Sequence, residues 1–153
     1  RAPQPPPVLT EFKATYYHGI TDYEESFTVT SSPESADILG ACGVGTAPDL
    51  DPQSASSDNV RVLDIWLYDK ASMSTQNQLL AARGVDLDSL AQRRASSGTV
   101  TGEPLAIEPG TSFKLRADQL LLECQIESVS YLENAQGAPF QSVSLSLKVM
   151  RKS

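Results

Sequence analysis

The sequence predicts a mainly β fold: an antiparallel β-sandwich or partly open barrel with a short helical insertion near residues 72–95. Three observations support this prediction. Apolar and polar residues alternate with a period of two along most of the chain, as in half-buried strands. Helical patterns are confined to one stretch between two groups of strands. The 153 residues are enough for a single domain with one core, and no internal repeat divides them.

The first part of the chain predicts a spacer followed by a hairpin. Residues 1–8, RAPQPPPV, have the composition of a stiff polyproline II tether, so the predicted domain spans residues 9–153. Residues 10–16 alternate as a strand and residues 23–30 alternate again. A turn at His18 lies between them, and we expect the two strands to pair as a hairpin.

The middle of the chain predicts two buried strands joined by a polar loop. The apolar run 38–45, ILGACGVG, carries three glycines, which indicates that another backbone or a bulky side chain approaches closely. Residues 60–68 are apolar on both faces, as in a central strand that is covered on both sides. Asp64 interrupts this strand and needs a hydrogen-bond partner if it is buried.

The helical insertion is predicted from capping residues. Ser72 or Ser74 can cap a helix that runs to about Arg83, and Asp86 or Asp88 can cap a second, shorter helix. The alternating pattern then returns in three segments, near residues 113–116, 120–127 and 142–149.

Charge is distributed unevenly along the chain. Residues 1–60 contain nine acidic and two basic residues, a net charge of −7, whereas residues 61–153 contain ten of each. This balance argues against binding to nucleic acid, which needs a basic surface against the phosphates. The acidic part serves solubility or forms a docking surface for a basic partner.

Motifs for catalysis and cofactor binding are missing from the sequence. One histidine and two cysteines are too few for a zinc site of the usual type, and GACGVG lacks the lysine and hydroxyl of a phosphate-binding loop. We therefore expect no enzymatic activity and no cofactor, although a pair of carboxylates brought together in space stays a catalytic alternative. A weak calcium site at Asp49, Asp51 and Asp58 is a further alternative.

The two cysteines, Cys42 and Cys124, lie in apolar, strand-like segments. Buried cysteine behaves as a small apolar residue, and domains that depend on disulfides usually contain several. The sequence therefore favours two buried thiols over one disulfide.

Aromatic and acidic residues cluster around the first predicted turn. Tyr17 and Tyr23 flank this turn, and Glu24 and Glu25 follow directly. Because tyrosine is enriched in interfaces, these four residues are a candidate protein-contact edge. Ordinary cross-strand aromatic pairing is the alternative interpretation.

Three stretches of the sequence together resemble an uncharacterised bacterial family of small membrane-anchored proteins. They are GACGVG at 40–45, LDIWLYDK at 63–70 and EPLAIEPGTSFKLRADQLLLECQIESVSY at 103–131. The resemblance implies a transmembrane helix upstream of Arg1, a linker and a β-rich domain on the cytoplasmic side, and it brings no catalytic residues. The spacer of this chain is rich in proline instead of basic residues, which leaves the orientation open.

These observations predict a non-enzymatic, membrane-tethered accessory or scaffold subunit that docks on a larger membrane protein assembly. Its partners would be proteins of that complex, and nucleic acid is not expected among them. The alternative is an extracytoplasmic β-sandwich module that binds a glycan or a ligand in a calcium-dependent way.

Overall fold

A computed structural model describes residues 8–20, 23–32, 37–47, 59–96 and 103–152, and in these ranges the chain folds into two packed β-sheets. The prediction of a mainly β fold is confirmed, in its sandwich form. The described elements follow one another as β1 (Val8–Tyr17), β2 (Glu24–Thr30), β3 (Ile38–Thr46), β4 (Val62–Asp69), β5 (Ser74–Ala81), α1 (Leu87–Ser96), β6 (Leu105–Ala106), β7 (Ser112–Arg116), β8 (Leu120–Tyr131) and β9 (Phe140–Arg151).

The two sheets have different connectivity. One has the strand order β1-β9-β8-β7 and is antiparallel throughout. The other has the order β2-β3-β4-β5-β6, and its last pair, β5 with β6, is parallel. A parallel pair needs a long crossover, and here the segment that contains α1 provides it.

The core lies between the sheets and is built by the predicted alternation. Side chains that point inward from each sheet meet in one apolar cluster, whereas the residues between them face outward. The main contributors are Leu63, Ile65 and Leu67 of β4, Leu120, Leu122, Cys124 and Ile126 of β8, and Val143, Leu145, Leu147 and Val149 of β9.

The predicted hairpin between the first two strands is wrong. β1 pairs with β9, and β2 pairs with β3 in the opposite sheet. The chain changes sheets after the turn at Gly19, whose φ is +96°. A period-two pattern specifies which face of a strand is buried but not which strand lies beside it, so a change of sheet is compatible with the same sequence.

The two strands nevertheless lie against each other as the edges of their sheets. The rings of Phe12 in β1 and Phe27 in β2 stack with centroids 4.4 Å apart. This contact closes one side of the sandwich, and we call it the β1–β2 seam.

The first predicted helix, from residue 72 to Arg83, is also wrong, because residues 74–81 form strand β5. The whole strand pairs with β4 in one register, with Thr75 opposite Tyr68 and Leu80 opposite Leu63. Its glutamines and leucines are good helix formers, but pairing with a central strand outweighs such weak propensities.

The second predicted helix is present as α1, and Asp86 caps it. The Asp86 carboxylate accepts hydrogen bonds from the backbone N–H groups of Asp88 (3.1 Å) and Ser89 (3.2 Å). Leu90 is buried on the outer face of the five-stranded sheet against Val62. The helix therefore covers only the first part of β4, and the expectation of a strand covered along both faces holds only there.

A buried carboxylate joins the sheets at the opposite end of the sandwich. Asp69, the last residue of β4, accepts hydrogen bonds from three backbone N–H groups: Ala71 (2.9 Å) in the β4–β5 hairpin, and Gln119 (2.7 Å) and Leu120 (3.2 Å) at the start of β8. Its side chain is fully buried. These bonds fix the hairpin of one sheet to a strand of the other.

Candidate functional site

The four residues of the predicted contact edge come together where β1 ends and β2 begins, but they do not share one surface. Tyr17 is 59% exposed, and Glu24 is exposed as well. Tyr23 is only 6% exposed, and Glu25 is half-buried. Burial leaves Tyr23 without the surface that a contact residue needs, so this part of the predicted edge is corrected.

Tyr23 and Glu25 instead hold the two sheets together below the surface. The ring of Tyr23 packs edge-on against Tyr16, with centroids 5.3 Å apart, and its hydroxyl donates to the Glu25 carboxylate. The same carboxylate accepts the backbone N–H of Thr15 in β1 at 3.1 Å. Burial, together with the bond to Glu25, raises the pKa of Tyr23, which keeps the phenol protonated as a donor.

Two further apolar side chains lie exposed at the same end. Tyr17 and Ser130 of β8 both lie opposite Ser142 of β9, and Leu132 follows Ser130 by two residues. Leu132 is 41% exposed, and Ile20, in the turn after β1, is 39% exposed. Four exposed residues lie at this end of the sandwich, and we call the end they mark the docking corner: Tyr17, Ile20, Glu24 and Leu132. Tyr17 points outward from the four-stranded sheet and Glu24 from the five-stranded sheet, so the corner lies where the two sheets meet.

A second feature, which the sequence reading missed, lies on the outer face of the five-stranded sheet. Trp66 and Tyr68 of β4 point outward and are partly exposed. Their neighbours in β3 are the small residues Gly43, opposite Trp66, and Ala41, opposite Tyr68. Both aromatic side chains therefore stand beside a strip of low side-chain volume.

Gly43 determines how Trp66 lies on this surface. A Cβ atom at Gly43 would be 2.5 Å from Cζ2 and 2.7 Å from Cε2 of the indole, so the ring occupies the space above the glycine backbone. The expectation that the glycines of ILGACGVG allow a close approach is confirmed. Gly40 is a second case, since its Cβ would be 2.1 Å from the carbonyl oxygen of Tyr68.

A carboxylate and an amide lie beside the indole. The Nδ2 of Asn77, which is opposite Trp66 in β5, donates to both carboxylate oxygens of Asp64 at 3.1 Å. Asp64 therefore has the partner that its partial burial requires. Burial raises the pKa of Asp64 to about 6, and the bond from Asn77 opposes this shift.

We call this surface the aromatic face and define it by the residues that face outward from it. They are Ser26, Thr28, Ala41, Gly43, Asp64, Trp66, Tyr68, Thr75 and Asn77. The signal in the sequence was the pair Trp66 and Tyr68 at positions i and i+2, but only the register shows that glycine and alanine stand next to them.

A cavity of about 300 Å³ lies elsewhere, near the end of β8. Arg83, Glu108, Val129 and Tyr131 are among its lining residues, and the guanidinium of Arg83 lies 4.6 Å from the ring centroid of Tyr131. The cavity therefore contains a cation on an aromatic ring and an acidic side chain, and the charge of Glu108 opposes the binding of an anion.

The two cysteines are buried free thiols, as the sequence favoured. Cys42 and Cys124 are free and fully buried. Burial raises the pKa of each thiol to about 12, so almost no thiolate forms near neutral pH.

Among the residues that the structure describes, no group of three or more His, Cys, Asp or Glu side chains is arranged to hold a metal ion. The predicted calcium ligands Asp49, Asp51 and Asp58 lie outside the described residues. In the same part of the chain no helix is long and apolar enough to span a bilayer.

Comparisons of the chain with protein-family models, with curated proteins and with solved structures gave no match. The resemblance to a membrane-anchored bacterial family therefore stays a prediction.

Proposed function

We propose that this protein is a non-enzymatic accessory or scaffold domain that docks on a larger protein assembly through the docking corner, while an upstream segment tethers it to the cytoplasmic side of a membrane. The observation that carries the docking role is the exposure of Tyr17, Ile20 and Leu132 close to the chain crossing between the two sheets. The other exposed large apolar side chains of the described residues, Val8, Ile38 and Met73, lie at the opposite end of the sandwich. The tether rests on the proline-rich residues 1–8 and on the family resemblance.

The corner is well suited to docking because it is held rigid from below. Tyr17 follows Tyr16, which packs against Tyr23, and Glu25 bonds both Tyr23 and Thr15. An exposed tyrosine on a fixed backbone loses little conformational entropy when it binds, and such residues are frequent binding hot spots. Glu24 at the same corner favours a partner that is apolar and basic.

A pull-down with a matched control tests the docking role. The tagged full-length protein, purified from a detergent extract of its own cells, should recover a stable complex that the double variant Tyr17→Ala/Leu132→Asp loses. Met73→Ala is the control, because Met73 is 79% exposed in the β4–β5 hairpin, far from the corner. Recovery of the same complex by both variants, or a monomer without partners in the wild type, would contradict the proposal.

The sequence encoded upstream of Arg1 tests the tether. An apolar span of about 20 residues followed by lysines or arginines would support an anchor with the domain on the cytoplasmic side. Basic residues on the other flank of the span would place the domain outside.

Ligand binding is the second candidate function, and the aromatic face favours it. Binding sites for small molecules combine aromatic surface with a few fixed polar groups, as Trp66, Tyr68, Asp64 and Asn77 do here. At least one ligand from a panel of sugars and calcium ions should raise the melting temperature of the protein, and EDTA should reverse any increase that calcium causes. A melting temperature that no member of the panel changes would refute this function.

A further inference from the structure

We infer that the aromatic face is a binding site for a neutral saccharide chain, which stacks on Trp66 and Tyr68 and hydrogen-bonds to Asp64 and Asn77. This inference rests on the second candidate function and assigns it a site and a class of ligand.

The stacking surface comes from the way the indole is placed. Because the ring lies over Gly43, the backbone of β3 covers one side, and the partly exposed side chain faces solvent with the rest. The face of an aromatic ring is electronegative, and the C–H bonds on one side of a pyranose ring present weakly positive hydrogens to it. Tyr68 lies two residues further along β4, about 7 Å away, so that one extended ligand can contact both rings.

The polar groups around Trp66 are of the kind that bind hydroxyls. After bonding to each other, the Asp64 carboxylate keeps free lone pairs, and the Asn77 amide keeps its oxygen and one N–H. Ser26, Thr28 and Thr75 add exposed hydroxyls on the neighbouring strands. Sugar hydroxyls, which donate and accept, match this mixture of donors and acceptors.

The negative charge of the aromatic face favours a neutral ligand over an anionic one. Strands β2 to β5 contain no lysine or arginine, and Asp64 and Glu24 are the acidic side chains that point outward from the same part of the sheet. A phosphorylated or carboxylated ligand stacked on Trp66 would therefore be repelled by the nearby Asp64 carboxylate, and the nearest base along β4 is Lys70, directly after the strand.

A cationic ligand is less well matched than a saccharide. The carboxylate next to the indole, Asp64, is already bonded to Asn77, and most other polar groups on the face are uncharged hydroxyls. A site for a cation would instead surround the aromatic ring with free carboxylates.

Trp66 is the only tryptophan of the chain, so its fluorescence reports directly on the proposed site. The purified domain is titrated separately with cellohexaose, chitohexaose and maltohexaose up to about 10 mM, a concentration that would nearly saturate a site with a millimolar Kd. We expect a saturable change in Trp66 emission with at least one of them. The absence of such a change with all three, in protein shown to be folded by circular dichroism, would overturn the inference.

Variants then locate the binding. Asn77→Ala, which keeps the tryptophan, should weaken the binding of the active sugar about tenfold, the equivalent of one lost hydrogen bond to a charged or polar group. Trp66→Ala removes the fluorophore, so its sugar binding is measured by calorimetry; we expect no detectable binding. Tyr17→Ala, which removes an exposed aromatic ring from the docking corner, is the matched control and should bind like the wild type. Unchanged affinity in both Asn77→Ala and Trp66→Ala would place the sugar elsewhere and overturn the inference.

Titration with a hexa-arginine peptide tests whether the aromatic face binds a cationic ligand in place of a saccharide. If it changes Trp66 emission and no sugar does, the face binds basic segments and the saccharide inference is wrong. If a panel ligand raises the melting temperature without changing Trp66 emission, the ligand-binding function survives, but this site for it is refuted.

Discussion

The replacement Asp64→Asn should make the stability of the domain less sensitive to pH. Burial raises the pKa of Asp64 from 3.8 to about 6, so the folded state favours the protonated carboxyl more than the unfolded state does. The stability that the neutral group contributes is therefore fully present below about pH 4 and is lost as the pH rises through about 6. A shift of about two pKa units corresponds to about 3 kcal/mol.

Asparagine keeps the shape of the side chain and an oxygen that can still accept a hydrogen bond from Asn77, but it does not ionise. At pH 4 the free energies of unfolding of the variant and of the wild type should be close. By pH 7.5 the variant should be more stable by up to about 3 kcal/mol. Urea unfolding followed by far-ultraviolet circular dichroism at a series of pH values measures this difference.

Two results would refute this reasoning. A stability difference between Asp64→Asn and wild type that does not change with pH would show that Asp64 titrates alike in both states. A variant less stable at high pH would show that the carboxylate is stabilising.

Asp86→Asn should change stability with pH in the opposite direction, because hydrogen bonds from Ser89 lower the pKa of Asp86. Its stability relative to wild type should fall as the pH rises from acid to neutral.

Three further predictions concern single residues. Asp69→Ala leaves three backbone N–H groups without their acceptor and should cost about 3 to 5 kcal/mol, seen as a lower urea midpoint at unchanged slope. A cost below about 1 kcal/mol would mean that water replaces the carboxylate. Met73→Gly should stabilise the domain by about 1 kcal/mol, because Met73 has a φ of 51° and glycine adopts this conformation without strain; a lower melting temperature would contradict this. Cys42 and Cys124 should react with Ellman's reagent only after unfolding, and fast reaction of the native protein would show that the core opens readily.

The strands with one clearly apolar face were predictable from the sequence. Most of β8 and β9 alternates between apolar and polar residues, and each strand buries one row of side chains in the core, so periodicity located them; Leu121, Ser146 and Met150 are buried in addition. Asp86 was identified as a possible cap from a different local signal: a short acidic side chain just before an apolar helical face can accept hydrogen bonds from the free N–H groups of the first turn. These features depend on interactions between residues that are close in sequence or on a single buried face.

Features that depend on distant contacts were not predictable in the same way. The change of sheet after β1 brings Tyr23 against Tyr16, and this contact buries a residue that the sequence placed on a contact edge. Strand β5 forms because β4 is beside it, although its own residues favour a helix. The aromatic face appears only when the register sets Gly43 next to Trp66, a pairing of residues from separate strands.

The β1–β2 seam also bears on how the protein behaves at high concentration. Sheets tend to recruit further strands at their edges, which leads to aggregation and domain swapping. Here the two long edge strands, β1 and β2, are turned against each other, and the Glu25 carboxylate occupies an outward N–H of β1. On the other side the edge strands are short, with two residues in β6 and five in β7. Chains of this protein should therefore resist joining sheet to sheet through the edges that the structure describes, and they should stay dispersed at concentrations at which open-edged sheets aggregate.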